Sequence, residues 1–299
     1  MNTRAQIRLL PGGHRLHLHD GPIDLIVEAF GTPHEVSAAC RAASARFVSV
    51  LDELCSELAL LRQPCSEESP WPQGAVARRM MAAVKPYAPE FFITPMAAVA
   101  GAVAEEILAA MISGADLTRA YVNNGGDIAL HLSAGELFVV GMVERPDRPS
   151  LMGTTMLHAS EPTRGVATSG WRGRSFSLGI ADAVTVLADR AAAADAAATI
   201  IANAIDLPGH PTIVRIAARE LQPDSDLGDR LVTQAVGDLT AREVDQALTC
   251  GAHAADRLLR SGLIRSAALS LQGETRIVGS AREHMTITTP PTERILVHA

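Results

Sequence analysis

An α+β fold is predicted by three features of this 299-residue sequence. Short alternating or β-branched runs are bounded by Asn-Gly, Asp-Gly or small-residue turns. Other stretches repeat apolar residues at three- and four-residue steps. The two kinds of segment follow one another without a regular βαβ beat, which favours mixed, mainly antiparallel architecture over a doubly wound sheet. Composition agrees, since 47% apolar and 20% charged residues describe a globular chain. At this length about three-quarters of the surface can be buried without disulfide or metal staples.

Arg15 to His19 alternates Arg, Leu, His, Leu, His, and Asp20-Gly21 offers a tight turn before the apolar run Ile23 to Ala29, predicting a β-hairpin. Alternation sets His17 and His19 on one strand face, a pattern that suits a solvated face and a metal site alike. Thr32-Pro33-His34-Glu35 predicts a helix start, with Thr as N-cap, Pro at the first helical position and Glu placed to bond back. Val36, Ala39, Ala43, Phe47, Val50, Leu54, Leu58 and Leu61 continue it as one long amphipathic helix ending before Pro64. Residues 63–74 contain three prolines and read as a surface connection, followed by a short helix near 75–84.

After Thr94-Pro95 comes an apolar helix with a stripe of Ala97, Ala100, Gly101 and Ala104, small enough to let another backbone approach closely. Strands are predicted at 120–123 and 127–132 around Asn124-Gly125-Gly126, and at 136–143. Residues 144–149 read as a charged, proline-containing loop. Strands within 165–188 are interrupted by Thr168-Ser169-Gly170 and Gly173, and a helix spans 191–204. Beyond it lie a strand at 213–217, helices within 227–261 interrupted near Gly237, and strands at 267–271 and 276–278.

Charge and cysteine usage exclude several classes. With 26 basic and 33 acidic residues the net charge is −7, so no basic footprint for nucleic acid is expected. Cys40, Cys55, Cys65 and Cys250 form no C-x-x-C pair and no zinc spacing, which predicts reduced thiols. Residues 1–20 lack the apolar core and small-residue cleavage site of a secretory signal, so the expected location is cytoplasmic. The longest apolar stretch, 93–112, contains Pro95, Glu105 and Glu106 and is expected to be a core helix, with no membrane partner.

Three motifs could carry chemistry. In Asn123-Asn124-Gly125-Gly126-Asp127 the glycines allow backbone N–H groups to approach a ligand and Asp127 offers a carboxylate; an ordinary turn has the same residues. Thr168-Ser169-Gly170 offers two hydroxyls and a small residue at which a phosphate or amide edge could sit. Asp195, Thr199 and Asn203 lie at steps of four in an alanine-rich helix and so share one face. Carboxylate, hydroxyl and amide oxygens are hard ligands suited to Mg²⁺, and equally they form the polar stripe of an amphipathic helix. Asp182, after Gly179-Ile180-Ala181, is a candidate base, a second metal carboxylate or a solvated strand end. No GxSxG, P-loop, HExxH or dinucleotide-binding glycine motif is present.

The order of the motifs resembles that of the ApbE family of flavin transferases. The small-residue helix 100–111 is followed by Tyr121-Val-Asn-Asn-Gly-Gly-Asp-Ile, then Val166-Ala-Thr-Ser-Gly-Trp, then Ala194-Asp-Ala-Ala-Ala-Thr. The resemblance is nearest to an ApbE-like sister family that shares Gly21-Pro22-Ile23-Asp24-Leu25, Met96-Ala-Ala-Val-Ala-Gly-Ala and Gly179-x-Ala-Asp-Ala-Val-Thr-Val. It extends from about residue 15 to 280.

The resemblance implies one domain over 1–299, T-fold-like, built of two intertwined sheet-and-helix lobes. It implies an FAD or FMN site at Asn123, Gly125, Gly126, Asp127, Thr168, Ser169 and Gly170, and Mg²⁺ at Asp195 and Thr199. ApbE enzymes cleave FAD and transfer FMN to a threonine of a target protein, using a segment after Thr-Ser-Gly that contains His, Asp-Pro and Thr-Gly. Here that stretch, Arg174 to Asp182, has neither His nor Asp-Pro. ApbE proteins are also typically exported, unlike the expectation for this chain. The function implied is therefore binding of a flavin or related small-molecule ligand. Transferase or pyrophosphatase activity, a metal-assisted reaction on a pterin-like or phosphorylated substrate, and a catalytically silent homodimer are the alternatives.

Overall fold

The structure, a computed structural model, describes residues 4–143, 151–279 and 296–298. Fourteen strands are found among these residues. The first seven are β1 (Gln6–Leu9), β2 (Arg15–Asp20), β3 (Ile23–Phe30), β4 (Arg119–Asn124), β5 (Asp127–Leu132), β6 (Leu137–Val143) and β7 (Leu151–His158). The others are β8 (Gly165–Ser169), β9 (Ala183–Ala188), β10 (Ile213–Ala217), β11 (Leu231–Val236), β12 (Ser266–Leu271), β13 (Glu274–Gly279) and β14 (Leu296–His298). The helices are α1 (Pro33–Ser56), α2 (Leu58–Leu61), α3 (Ala75–Val84), α4 (Val99–Ser113), α5 (Ala191–Ala204), α6 (Ala218–Leu221) and α7 (Ala241–Arg260).

Nine strands form one antiparallel sheet in the order β1-β2-β3-β4-β5-β8-β9-β12-β13. Its two halves join at β5 and β8 through only two registered pairs, Ile128 with Val166 and Ala129 with Gly165. The α+β expectation is borne out. On one face α1 and α4 pack on the first half while α5 and α7 pack on the second, and α4 meets α5 across the junction. That layer buries Leu18, Leu25, Val122, Ala167, Val186 and Leu269. The opposite face near the junction is covered by the β6–β7 hairpin, with Tyr121, Ile128, Leu130, Phe138 and Leu157 in a second cluster. Phe138 meets the Tyr121 ring edge-on at 6.0 Å.

Local chemistry explains most boundaries. Thr32 accepts a hydrogen bond from the Glu35 N–H and starts α1, as its motif predicts. The helix stops at Ser56 rather than running to Leu61, because Glu57 leaves helical geometry and α2 restarts after it. Its carboxylate accepts from the N–H groups of Gln73 and Gly74, both at 2.7 Å, and so anchors the start of α3. Between Leu61 and Ala75 there is no helix or strand, consistent with the 63–74 connection.

His17 and His19 share a half-exposed face and both meet the Asp24 carboxylate, at 3.0 and 3.2 Å. Among the described residues no group of three His, Cys, Asp or Glu side chains is arranged to hold a metal. Residues 227–236 are not helical as expected. Leu231–Val236 forms β11 against β10, with the β-branched Val232 and Thr233 buried. Strands β1 and β7 carry no sequence signal strong enough to predict them. The loop expected at 144–149 lies outside the described residues.

By length and composition the helical stretch Pro95–Ser113 could cross a membrane, with mean hydropathy 1.6. In the fold it is a core helix. Ala102, Val103, Ala104, Ile107 and Met111 are fully buried between α1, α3, α5 and the sheet.

Candidate functional site

The site grows from the place where the sheet ladder fails. Beyond Ile128 and Val166 the pairing of β5 with β8 stops, so the next backbone groups need other partners. The Thr168 N–H finds one in the Asp127 carboxylate. Asp127 is the first residue of β5, after the two-residue turn of Gly125 and Gly126, whose φ of +67° and +116° only glycine adopts without strain. The Asn123 side-chain oxygen accepts from the Gly126 N–H at 2.8 Å and fixes this turn. Asn124 donates its side-chain amide to the Ala100 carbonyl at 3.1 Å and ties the same turn to the start of α4. The two motifs, about forty residues apart, therefore converge.

Strand alternation sorts their side chains. Asp127 pairs across the ladder with Asn124, so both lie on the helix-packed face. Ser169 shares that face with the buried Ala167, whereas the Thr168 hydroxyl points the other way and bonds the Thr185 hydroxyl at 2.9 Å. Thr168 thus offers the site its backbone N–H rather than its hydroxyl. Gly170 ends the segment against the backbone of Ala181 and Asp182.

From the other side comes α5. Its run of alanines lets it lie close to both the sheet and α4, and at Gly101 a side chain would run into the Ala191 carbonyl. This close approach places Asp195 at the N-terminus of α4. Its carboxylate accepts from the Gly101 N–H at 3.0 Å and from the Ala100 N–H. Thr199 stands one turn further along the same face, partly buried like Asp195. Asn203, the third member of the series, is not available as a ligand, because its side-chain oxygen accepts from the Leu178 N–H at 3.0 Å.

Asp127 and Asp195 form a partly buried carboxylate pair. Burial, and then the neighbouring Asp195 charge, push the Asp127 carboxyl well above the usual range, with the Thr168 N–H opposing. Burial raises Asp195 to about 7 against the pull of the Gly101 and Ala100 N–H groups. Among the described residues the buried Asp127 Oδ1 atom has no hydrogen-bond partner. Two carboxylates that cannot both ionise cheaply, one with an orphan oxygen, can share a proton or hold a cation.

Asp182 is placed differently. It is 6% exposed, and its carboxylate accepts from Trp171 Nε1 at 3.2 Å, Arg172 Nε at 2.7 Å and the Gln272 N–H at 2.6 Å. These three donors give it a positioning role: it fixes the segment that follows Gly170. The same segment carries Arg174 over Gly125. The sequence motifs mark neither Arg174 nor the Ala100 and Gly101 N–H groups, and they do not pair Asp127 with Asp195. The stripe containing Gly101 is the one available signal for a close helix approach.

A family model described as AbpE bacteria matches residues 7–277, and the chain belongs to this ApbE-like family. A UPF0280 protein of Methanopyrus kandleri is 45% identical over 129 residues, covering 43% of this chain and 48% of the relative. A UPF0280 protein of Methanococcoides burtonii is 37% identical over 147 residues, covering 49% of this chain and 56% of the relative. The chain thus spans about half the length of the curated relatives it matches. Among solved structures, a mutant of the flavin transferase ApbE from Vibrio cholerae superposes with TM-score 0.48 at 12% identity, over 90% of this chain and 98% of that one.

Proposed function

We propose that the chain binds a flavin nucleotide, FAD or FMN, through its phosphates, with Mg²⁺ at Asp127, Asp195 and Thr199. The observation that carries this is the Asp127–Asp195 pair with its orphan oxygen. Such a pair is costly unless a proton or cation neutralises it, and carboxylate and hydroxyl oxygens are the donors Mg²⁺ takes alongside water and substrate phosphate. The donor set therefore fits the ion that the motif resemblance implies. When bound, Mg²⁺ would supply charge neutralisation at a pyrophosphate. The Asn123–Asp127 turn and Ser169 line the same end of the sheet, and the N-terminus of α4 adds a positive field. Flavin is the nucleotide favoured by the motif order.

Turnover is a separate matter. Between Trp171 and Ala181 there is no His or carboxylate, and Asp182 is engaged by three donors. The reading is of a binding site, held in the cytoplasm, with little or no FMN transfer. Titration of FAD with and without Mg²⁺, followed by flavin fluorescence, tests it. Mg²⁺-dependent binding that Asp127→Asn or Asp195→Asn removes is expected; absence of FAD and FMN binding to the folded wild type would overturn it.

A further inference from the structure

We propose that Arg174 is the phosphate clamp of this site, the residue that makes it selective for a phosphorylated over a non-phosphorylated ligand. This rests on the nucleotide-site reading above and adds the element that reading leaves open. A ligand phosphate entering beside Asp127 and Asp195 meets two carboxylates, and one divalent ion only cancels their charge. A further cation is needed at the rim.

Arg174 has the required placement. Its guanidinium lies over the glycine turn, where a Cβ built on Gly125 would stand 3.5 Å from Nη1. Gly125 heads the turn that leads into Asp127, so the exposed guanidinium stands at the rim of that turn. Among the described residues Arg174 has neither a hydrogen-bond acceptor nor an ion-pair partner, whereas Arg172, two residues earlier, is spent on Asp182 and the Trp171 ring. Its five N–H donors are therefore free for a planar, bidentate acceptor such as a phosphate.

The loop that carries it is held rigidly at both ends. On one side the Trp171 N–H bonds the Ala181 carbonyl at 3.0 Å, the Gly173 N–H bonds the Gly170 carbonyl at 3.1 Å, and Asp182 takes Trp171 and Arg172. On the other, Asn203 accepts from Leu178, and Thr233 donates to the Gly179 carbonyl at 2.8 Å while its N–H bonds the Ser177 carbonyl at 2.9 Å. A free guanidinium on a tethered loop loses little loop entropy on engaging an anion. Asp182 and Asn203 are accordingly positioning residues for Arg174.

Calorimetric titration with inorganic pyrophosphate, FAD and riboflavin, all with Mg²⁺, tests the assignment on the wild type, Arg174→Gln, Arg174→Lys and the distant control Arg242→Gln. Arg174→Gln is expected to weaken pyrophosphate and FAD about tenfold to a hundredfold, the worth of a charge-assisted hydrogen bond or two. Riboflavin, lacking phosphate, should be unaffected, Arg174→Lys should recover part of the loss, and Arg242→Gln should match the wild type. Arg174→Gln binding pyrophosphate and FAD within twofold of the wild type would overturn the clamp while leaving the nucleotide site standing. Equal loss of riboflavin would also overturn it, because the effect would then be on the pocket rather than on phosphate. A wild type that binds neither pyrophosphate nor FAD would bring down the site reading itself and the clamp with it.

Discussion

The Asp127 carboxylate at the head of β5 lies near Asp195 in the second turn of α5, and backbone N–H groups hold both, one from β8 on Asp127 and two from α4 on Asp195. Asp127 holds Thr168 where the β5–β8 ladder ends, and Asp195 holds Ala100 and Gly101 where α4 begins. The same two residues thus stitch the junction of the sheet halves and concentrate negative charge there.

Asp195→Asn keeps the side chain's size and an acceptor for the Gly101 N–H while removing the charge. Without metal it is expected to raise stability at pH 8 by up to about 4 kcal/mol, the worth of a roughly thousandfold difference in proton affinity between the folded and unfolded chain, less what is lost as the charge-assisted bonds to the Gly101 and Ala100 N–H groups become neutral. Added Mg²⁺ should stabilise the wild type and leave the variant unchanged. Thermal melts with and without the ion measure both effects.

The pH dependence has a definite sign. Both carboxyls are raised in the folded protein, Asp195 to about 7, so the native state keeps protons that the unfolded chain has lost. The unfolded pKa is about 4, so metal-free stability should fall as pH rises above ~4, with the Asp195 share of the penalty fully present once the pH passes about 7. Denaturant midpoints across this range should show the fall in the wild type and a flatter profile in Asp195→Asn.

Gly101→Ala should destabilise the fold by about 1–3 kcal/mol, the usual cost of overpacking. The added methyl meets the Ala191 backbone, which has no rotamer to yield, and pushes α5 away from α4. Because Asp195 travels with α5, Mg²⁺-dependent ligand affinity should fall as well. Chemical denaturation and FAD titration of the one variant check the two effects together.

Incubation with FAD, Mg²⁺ and a threonine-bearing acceptor peptide is expected to leave the peptide without an FMN adduct above trace level by mass spectrometry. A general base must reach the proton it takes, and no His or unengaged carboxylate lies between Trp171 and Asp182. Adduct at turnover level would mean that a residue from elsewhere in the chain reaches the acceptor.

Much of the fold is legible in the sequence because local chemistry decides it. The Thr32-Pro33 helix start, the Asp20-Gly21 and Gly125-Gly126 turns and the alanine helix 191–204 each follow from nearest-neighbour preferences, and all appear where the sequence predicts them. What the sequence hides depends on partners distant along the chain. Leu231–Val236 is a strand because Ile213–Ala217 pairs with it, and a short apolar run cannot announce its partner. Asp127, Thr168 and Asp195 each stand out in a motif, but their pairing follows from where the β5–β8 ladder stops, which no motif encodes. Asn203 and Asp182 look like ligands by residue type; their hydrogen bonds to Leu178 and to Trp171, Arg172 and Gln272 exist only in the fold.

Calorimetry of Mg²⁺ binding near pH 6.5, in two buffers of different ionisation enthalpy, addresses the carboxylate pair most directly. A cation that enters between Asp127 and Asp195 must expel the proton the pair retains, so the apparent heats should differ between buffers by about one released proton per ion. Asp195→Asn should abolish both the binding and the proton release. Mg²⁺ that binds with no proton release and equally well to Asp195→Asn, or that does not bind at all, would contradict the account.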